Sequence, residues 1–396
     1  MSASEELGRA APRQRVSPLQ RFVLRVLLFS SPFLLALGAS ELFLWLAGES
    51  WSITHALSYQ DTHPGALFGR KVLPEQIADY KLAMLARHHP RIVALGSSRV
   101  MGFRSWMFGP DSASFRNMGG LVKNVADLQQ FADSTPGEML PRVVILGADL
   151  RWLNGGSPAS DRAPVHGRGL TWQDHVQGLR LLAASPGAAR SAASAMVRRA
   201  RGRGTRGLGL MALANEAGFR PDGSFHWPYL TADRPNGLTH EVLKPTLDHI
   251  VTGTRGFERN NGVDSVLLQQ LAHALGSLRR RGVFVIGYCP PFASEVAQAL
   301  RDDPRQSGLL SAFAPAVARQ FEANGFPFVD ASDLGTLGLD DRYMADGLHG
   351  METMHLYLMR RMLQDSRVRR ALRVREDWLE ALMADPRTDA WYAAGR

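Results

Sequence analysis

Three side chains in this sequence have the types and the placing to activate a hydroxyl group. Ser98 ends the stretch Arg91-Ile92-Val93-Ala94-Leu95-Gly96-Ser97-Ser98-Arg99, where a short β-rich apolar run stops on small hydroxyl residues. Asp346 and His349 lie far downstream in Asp346-Gly347-Leu348-His349-Gly350, at the entrance to an apolar helical pattern. A serine becomes a nucleophile at neutral pH when a base takes its proton, and the base keeps the right tautomer when an acid holds it. The Asp-x-x-His spacing lets carboxylate and imidazole meet within one turn. These residues point to acyl transfer through a serine ester, with Ser97 as the alternative nucleophile.

Other chemistries find little support. His88, His89, His166, His175 and His226 lack metal-ligand spacing, and no H-E-x-x-H, P-loop or G-x-S-x-G occurs. Gly202, Gly204 and Gly207 satisfy G-x-G-x-x-G, but no strand precedes them, so the dinucleotide fingerprint fails its context. The single cysteine, Cys289, excludes an internal disulfide framework and reads as a buried thiol in an apolar strand. No metal and no cofactor is expected.

Positioning Ser98 beside His349 requires a sheet edge that collects both. Apolar runs at Ile92–Leu95, Val143–Asp149, Val283–Tyr288 and Phe326–Asp330 read as buried strands, each ending on polar, glycine or proline residues. Helical patterns fall between them: around 77–86, Leu121–Ala132, 264–281, Leu309–Asn324 and Met354–Leu363. Phe115–Gly120 reads as a turn. Strands alternating with helices indicate an α/β fold, specifically a three-layer α/β/α domain with a mainly parallel sheet. In such sheets ligands bind at the carboxyl edge.

Outside that alternation lie an apolar segment and a basic stretch. Val26 to Ala47 is apolar but for Glu41, long enough to cross a bilayer, and preceded by Arg9, Arg13, Arg15, Arg21 and Arg25. The arginines predict a cytoplasmic amino terminus and an exported remainder, with Trp45 and Trp51 at the outer interface. Ala36-Leu37-Gly38 is a weak cleavage site, so a signal peptide is the rival reading; the apolar segment runs on past it and favours an uncleaved anchor. The organisation expected is a basic cytoplasmic segment at 1–25, an anchor at 26–47, an α/β domain at 52–366 and a charged helical tail at 367–396. Within the domain, 151–262 reads as an insertion lobe with a helix from Gln173 to Arg201. It carries most of the net charge of +9, which comes from arginine far more than from lysine. Its peak, Arg198–Arg206, is either a solvated loop or a contact for a polyanion or a lipid surface. Without basic–aromatic interleaving or a helix-turn-helix pattern, nucleic acid is not the expected partner.

The order Gly96-Ser97-Ser98, Asn117-Met118-Gly119, Leu146-Gly147-Ala148-Asp149, Asp346-Gly347-Leu348-His349 resembles the SGNH (GDSL-like) hydrolase superfamily. Its first block is Gly-Asp-Ser, or Gly-Ser-Ser in a membrane-anchored branch, and its last is Asp-x-x-His. The resemblance covers about residues 88–150 and 265–365, and it implies an SGNH, flavodoxin-like fold. By it Ser98 is the nucleophile, His349 the base and Asp346 the orienting acid, with the Ser98 and Gly119 amides as oxyanion donors. The third block normally places an asparagine side chain in the oxyanion hole, and Asp149 stands there instead. Either it points elsewhere, is protonated, or yields the place to Arg151 or Asn154. Arg99, Asn117 and Arg151 are the expected substrate contacts.

With the anchor, the Gly-Ser-Ser block resembles the proteins of alginate O-acetylation and of teichoic acid D-alanylation. That implies an exported serine O-acyltransferase on an envelope polysaccharide, fed by a polytopic membrane O-acyltransferase. Its alternatives are an exported esterase and a non-catalytic binding or assembly subunit.

Overall fold

The computed structural model describes residues 17–71, 77–156, 186–201, 205–227, 238–258 and 262–385, together with 173, 176, 177, 180 and 260. Arg9, Arg13, Arg15, His166, His175 and the tail beyond Asp385 lie outside the described residues, as does most of the stretch between Gln173 and Ser185.

Five short strands form one parallel sheet: β2 (Ile92–Gly96), β3 (Phe115–Gly119), β4 (Val143–Gly147), β8 (Phe284–Cys289) and β9 (Phe328–Asp330). Their order is β3-β2-β4-β8-β9, every neighbour parallel. The chain therefore runs outward one way from β2 to β3, and the other way through β4, β8 and β9. The strand order reverses between β2 and β4, and a reversal of this kind opens a crevice at the carboxyl edge where ligands bind. The four apolar runs are strands as expected. Phe115–Gly119 is a strand where a turn was expected. It lacks an apolar run, yet Phe115, Asn117 and Met118 are fully buried, because neighbouring groups satisfy the asparagine amide.

The described helices, in chain order, are α1 (Pro18–Ala47), α2 (Ile53–Thr62), α3 (Ile77–His88), α4 (Val125–Ser134), α5 (Pro186–Ala200), α6 (Leu210–Asn215), α7 (His240–Thr252), α8 (Ser265–Arg280), α9 (Ser294–Asp302), α10 (Ser307–Ala323), α11 (Glu352–Met362), α12 (Ser366–Leu372) and α13 (Glu376–Ala384). Local chemistry sets their ends. Asn124 caps α4 by accepting from the Asp127 amide at 2.8 Å, which moves its start past the expected Leu121. Asp264 caps α8 through the Val266 and Leu267 amides, and Arg279 and Arg280 close its last turn. The helices α4, α8 and α10 pack against one another in succession. The core beneath them is continuous, running from Tyr80 and Met84 through the strands to Leu356 and Met359.

A second, mixed sheet joins β1 (Leu67–Phe68) with β5 (Gly207–Leu208), β6 (Gly218–Phe219) and β7 (Phe225–His226), in the order β5-β1-β6-β7. Thus the described end of the basic stretch does not stand apart. Leu208 and Phe219 belong to the main core, and the Asn117 amide donates to the Asp222 carbonyl at 2.7 Å. Lys81, fully buried, donates to the Asn117 and Gly223 carbonyls and lies 4.3 Å from the centre of the Phe219 ring.

The amino-terminal helix starts at Pro18, earlier than the apolar run, and is long and apolar enough to cross a membrane. Its outward-facing residues include Phe22, Leu28, Phe29, Leu35 and Leu42, and only its last two turns are covered by the domain. Trp45 is half exposed. Trp51, expected at the interface, is buried and stacks on His55 at 4.0 Å. Cys289 is buried at the end of β8 as expected, where burial pushes its thiol pKa up.

Candidate active site

Ser98 emerges from the end of β2 through two local devices. Gly96 takes φ +151, and a Cβ there would lie 2.8 Å from Val100 Cγ1 and 3.0 Å from the Gly147 carbonyl, so the close approach of β2 to β4 requires glycine. Ser97 Oγ then accepts from the Arg99 amide at 3.2 Å, capping the single 3-10 turn Ser98–Val100. The result is a half-buried Ser98 beside the strand reversal, with no partner among the described residues for its own backbone N–H.

The last block arrives at the same edge. His349 Nε2 lies 2.8 Å from Ser98 Oγ, and His349 Nδ1 lies 2.8 Å from Asp346 Oδ2. Asp346 Oδ1 accepts from the Leu348 and His349 amides, both at 2.8 Å, so the carboxylate fixes the turn as well as the ring. Burial works to raise the Asp346 pKa. The charge and hydrogen bond of His349 and the two amides outweigh it, and hold the carboxyl down at about 2. The three expected residues are therefore brought together in a hydrogen-bonded relay, Ser98–His349–Asp346. The Trp227 ring flanks it with its centroid 5.2 Å from that of His349.

The remaining expected residues divide. Gly119 does not offer its amide to an oxyanion, because that N–H donates to Asn117 Oδ1 at 2.8 Å. Asn117 is no substrate contact either; its side-chain nitrogen donates to the Val100 and Phe103 carbonyls, and it is fully buried. Arg99, 7% exposed, donates to the carbonyls of Leu348, Pro290 and Pro291 and to Asp149 Oδ1 at 3.1 Å, and stacks on Phe292. It braces the loop that carries His349 and is not free to hold a substrate.

Asp149 is accordingly turned toward Arg99, so its charge is balanced. Its other oxygen, Oδ2, is buried without a hydrogen bond and stands 3.9 Å from the Arg151 guanidinium. Asn154 is committed to the Glu258 carbonyl and the Gly156 amide. Of Arg151 and Asn154, Arg151 lines a cavity shared with Ser98, to which Arg99 and Asp149 also contribute. That cavity, about 70 Å³, is also lined by Arg255, Phe257, Phe292 and Leu348. Arg255, Phe257 and Trp227 lie in the stretch that sequence reasoning set aside; the Arg255-Gly256 pair signals a turn but not what the turn approaches. No group of three or more His, Cys, Asp or Glu able to hold a metal occurs among the described residues.

No protein-family model matches the chain, and no match to it is found among curated proteins or among solved structures.

Proposed function

We propose that the chain is a membrane-tethered serine O-acyltransferase that carries an acyl group as an ester of Ser98 and passes it to a hydroxyl of an envelope polysaccharide. The observation that supports this is the relay of two 2.8 Å contacts from Ser98 Oγ through His349 to Asp346. In the first half-reaction His349 Nε2 takes the Ser98 proton as Oγ attacks the acyl carbonyl carbon. The tetrahedral oxyanion faces the Ser98 amide and Arg151, and its collapse expels the donor's leaving group, protonated by His349. In the second, His349 deprotonates the acceptor hydroxyl, which attacks the ester and releases Ser98. The parallel strand order supports a three-layer SGNH, flavodoxin-like architecture. The resemblance supplies the acyl donor, a polytopic membrane O-acyltransferase, and the placement of the domain outside the inner membrane on a single amino-terminal span.

An exported esterase is the second reading. The small cavity beside Ser98 has apolar walls in Phe257, Phe292 and Leu348, which suit a short acyl group, and water can serve as its acceptor.

The test is to incubate the full chain with p-nitrophenyl acetate and read the adduct by mass spectrometry. An acetyl group on Ser98 is expected, absent in Ser98→Ala and His349→Ala. It should form about 10³–10⁴-fold more slowly in Asp346→Asn, where the imidazole loses its tautomer. An unlabelled wild type under conditions that label a known serine esterase would sink both readings. Adding an envelope glycan and following its acylation against hydrolysis separates them.

A further inference from the structure

A larger cavity lies away from Ser98, where the domain meets the amino-terminal helix. It measures about 690 Å³ and is lined by Arg190, Ser194, Arg198, Thr205, Arg206 and Glu216, among others. Arg190, Ser194 and Arg198 are spaced four apart on α5, so they share one face of that helix. Among the described lining residues three guanidiniums stand with one carboxylate, and the Ser191 and Ser194 hydroxyls lie between Arg190 and Arg198 on the same helix. That set of donors fits a phosphate, which accepts forked guanidinium and hydroxyl hydrogen bonds.

The position of the cavity names the source of the phosphate. The neighbouring face of α5 packs on the end of α1: Ala192 and Met196 meet Phe43, Leu44 and Ala47, joined by Leu210 and Leu213, and Leu213 also lines the cavity. The Gly209 amide donates to the Ala47 carbonyl at 2.8 Å, and the Leu210 amide to Glu49 Oε2 at 2.7 Å, so this junction is bonded as well as packed. The 30-residue α1 is about 45 Å long, whereas bilayer hydrocarbon is about 30 Å thick. With its exposed apolar length from Phe22 to Leu42 in the hydrocarbon, the turns covered by α5 fall at headgroup level. Half-exposed Trp45 marks the same level.

We propose that this cavity binds the phosphodiester headgroup of an anionic phospholipid and so fixes the domain against the membrane that α1 enters. The inference is independent of the chemistry at Ser98. It gives the arginines of the basic stretch a ligand: the lipid phosphate sits among Arg190, Arg198 and Arg206, while its acyl chains run beside α1.

The experiment is native mass spectrometry of the full chain released from detergent micelles, with phosphatidylglycerol, phosphatidylcholine or inorganic phosphate added in separate arms. Phosphatidylglycerol is expected to be retained at least tenfold more than phosphatidylcholine, and the Arg190→Gln/Arg198→Gln/Arg206→Gln variant should lose that preference. Glu216→Gln, which removes the opposing charge at the same site, should retain phosphatidylglycerol more strongly than wild type. It keeps the test decisive if the triple variant does not fold. Equal retention of the two lipids by wild type, undiminished retention by a folded triple variant, or saturable binding of phosphate without phosphatidylglycerol would each overturn the proposal.

Discussion

At the scale of single residues, the pair Arg99–Asp149 carries the most information. Both are buried, and Arg99 also donates to three backbone carbonyls, one of them that of Leu348, next to His349. Removing one member of a buried pair strands the other's charge, at a cost of about 3–5 kcal/mol. Arg99→Met should therefore destabilise the protein by that order in urea unfolding. Adding Asp149→Asn to it should restore about 1–3 kcal/mol, because the stranded charge is gone. Strictly additive effects of the two changes would show that the pair is not coupled. The same geometry balances the charge of the aspartate beside Ser98, because Asp149 Oδ1 is paired with the Arg99 guanidinium.

Among the elements, the ends of β2 and β4 decide the site. They approach so closely that Gly96 and Gly147 both lie against Val100 Cγ1, and the Gly96 carbonyl accepts from the Gly120 and Val122 amides across the edge. Gly96→Ala must push Val100 aside and adopt a backbone conformation that disfavours a side chain, at about 2–4 kcal/mol. Because the displaced turn is the one carrying Ser98, the expected outcome is loss of the Ser98 acetyl adduct at temperatures where circular dichroism still reports a folded chain. Retention of full labelling would show that the turn absorbs the methyl group elsewhere.

For the whole molecule, a buried ionic cluster ties the mixed sheet to the helix that follows His349. Arg104 pairs with Glu352 at 2.6 Å and with Asp222 at 3.3 Å, Arg220 lies 3.4 Å from Glu352, and its guanidinium contacts His226 Nδ1 at 2.8 Å. Burial, then the charges of Arg220 and Arg104, hold the His226 pKa down at about 3; burial holds that of His355 at about 4. Both values lie below the ordinary histidine value of about 6.5. The unfolded chain therefore takes up protons that the folded one refuses, so stability is intact above pH 6.5 and falls as the pH drops from there toward 4. Two such groups give a slope approaching about 2.7 kcal/mol per pH unit. Thermal midpoints measured between pH 7.5 and 4.5 should fall steadily, and His226→Gln should flatten the fall by about half. A flat profile would mean that these rings are not buried neutral in solution.

How much of this was legible follows from the range of the forces. The strands at Ile92, Val143, Phe284 and Phe328, the helix α8 and the Asp346–His349 turn rest on neighbours close in sequence, so patterning and spacing revealed them. The apolar length of α1 was legible for the same reason. What only the tertiary structure decided lies at longer range or in polar satisfaction: β3, which an asparagine with buried partners makes possible; Arg99, whose acceptors come from three other segments; and the joining of residues 205–227 to the core through Lys81 and Asp222. The sequence determined which residues can do chemistry, because that is a property of side-chain type and local spacing. Only the fold decided which remain available, because a buried polar group is bound by whichever partner packing brings, and here packing committed Gly119 and Asn117 while leaving Arg151 at the cavity that Ser98 shares.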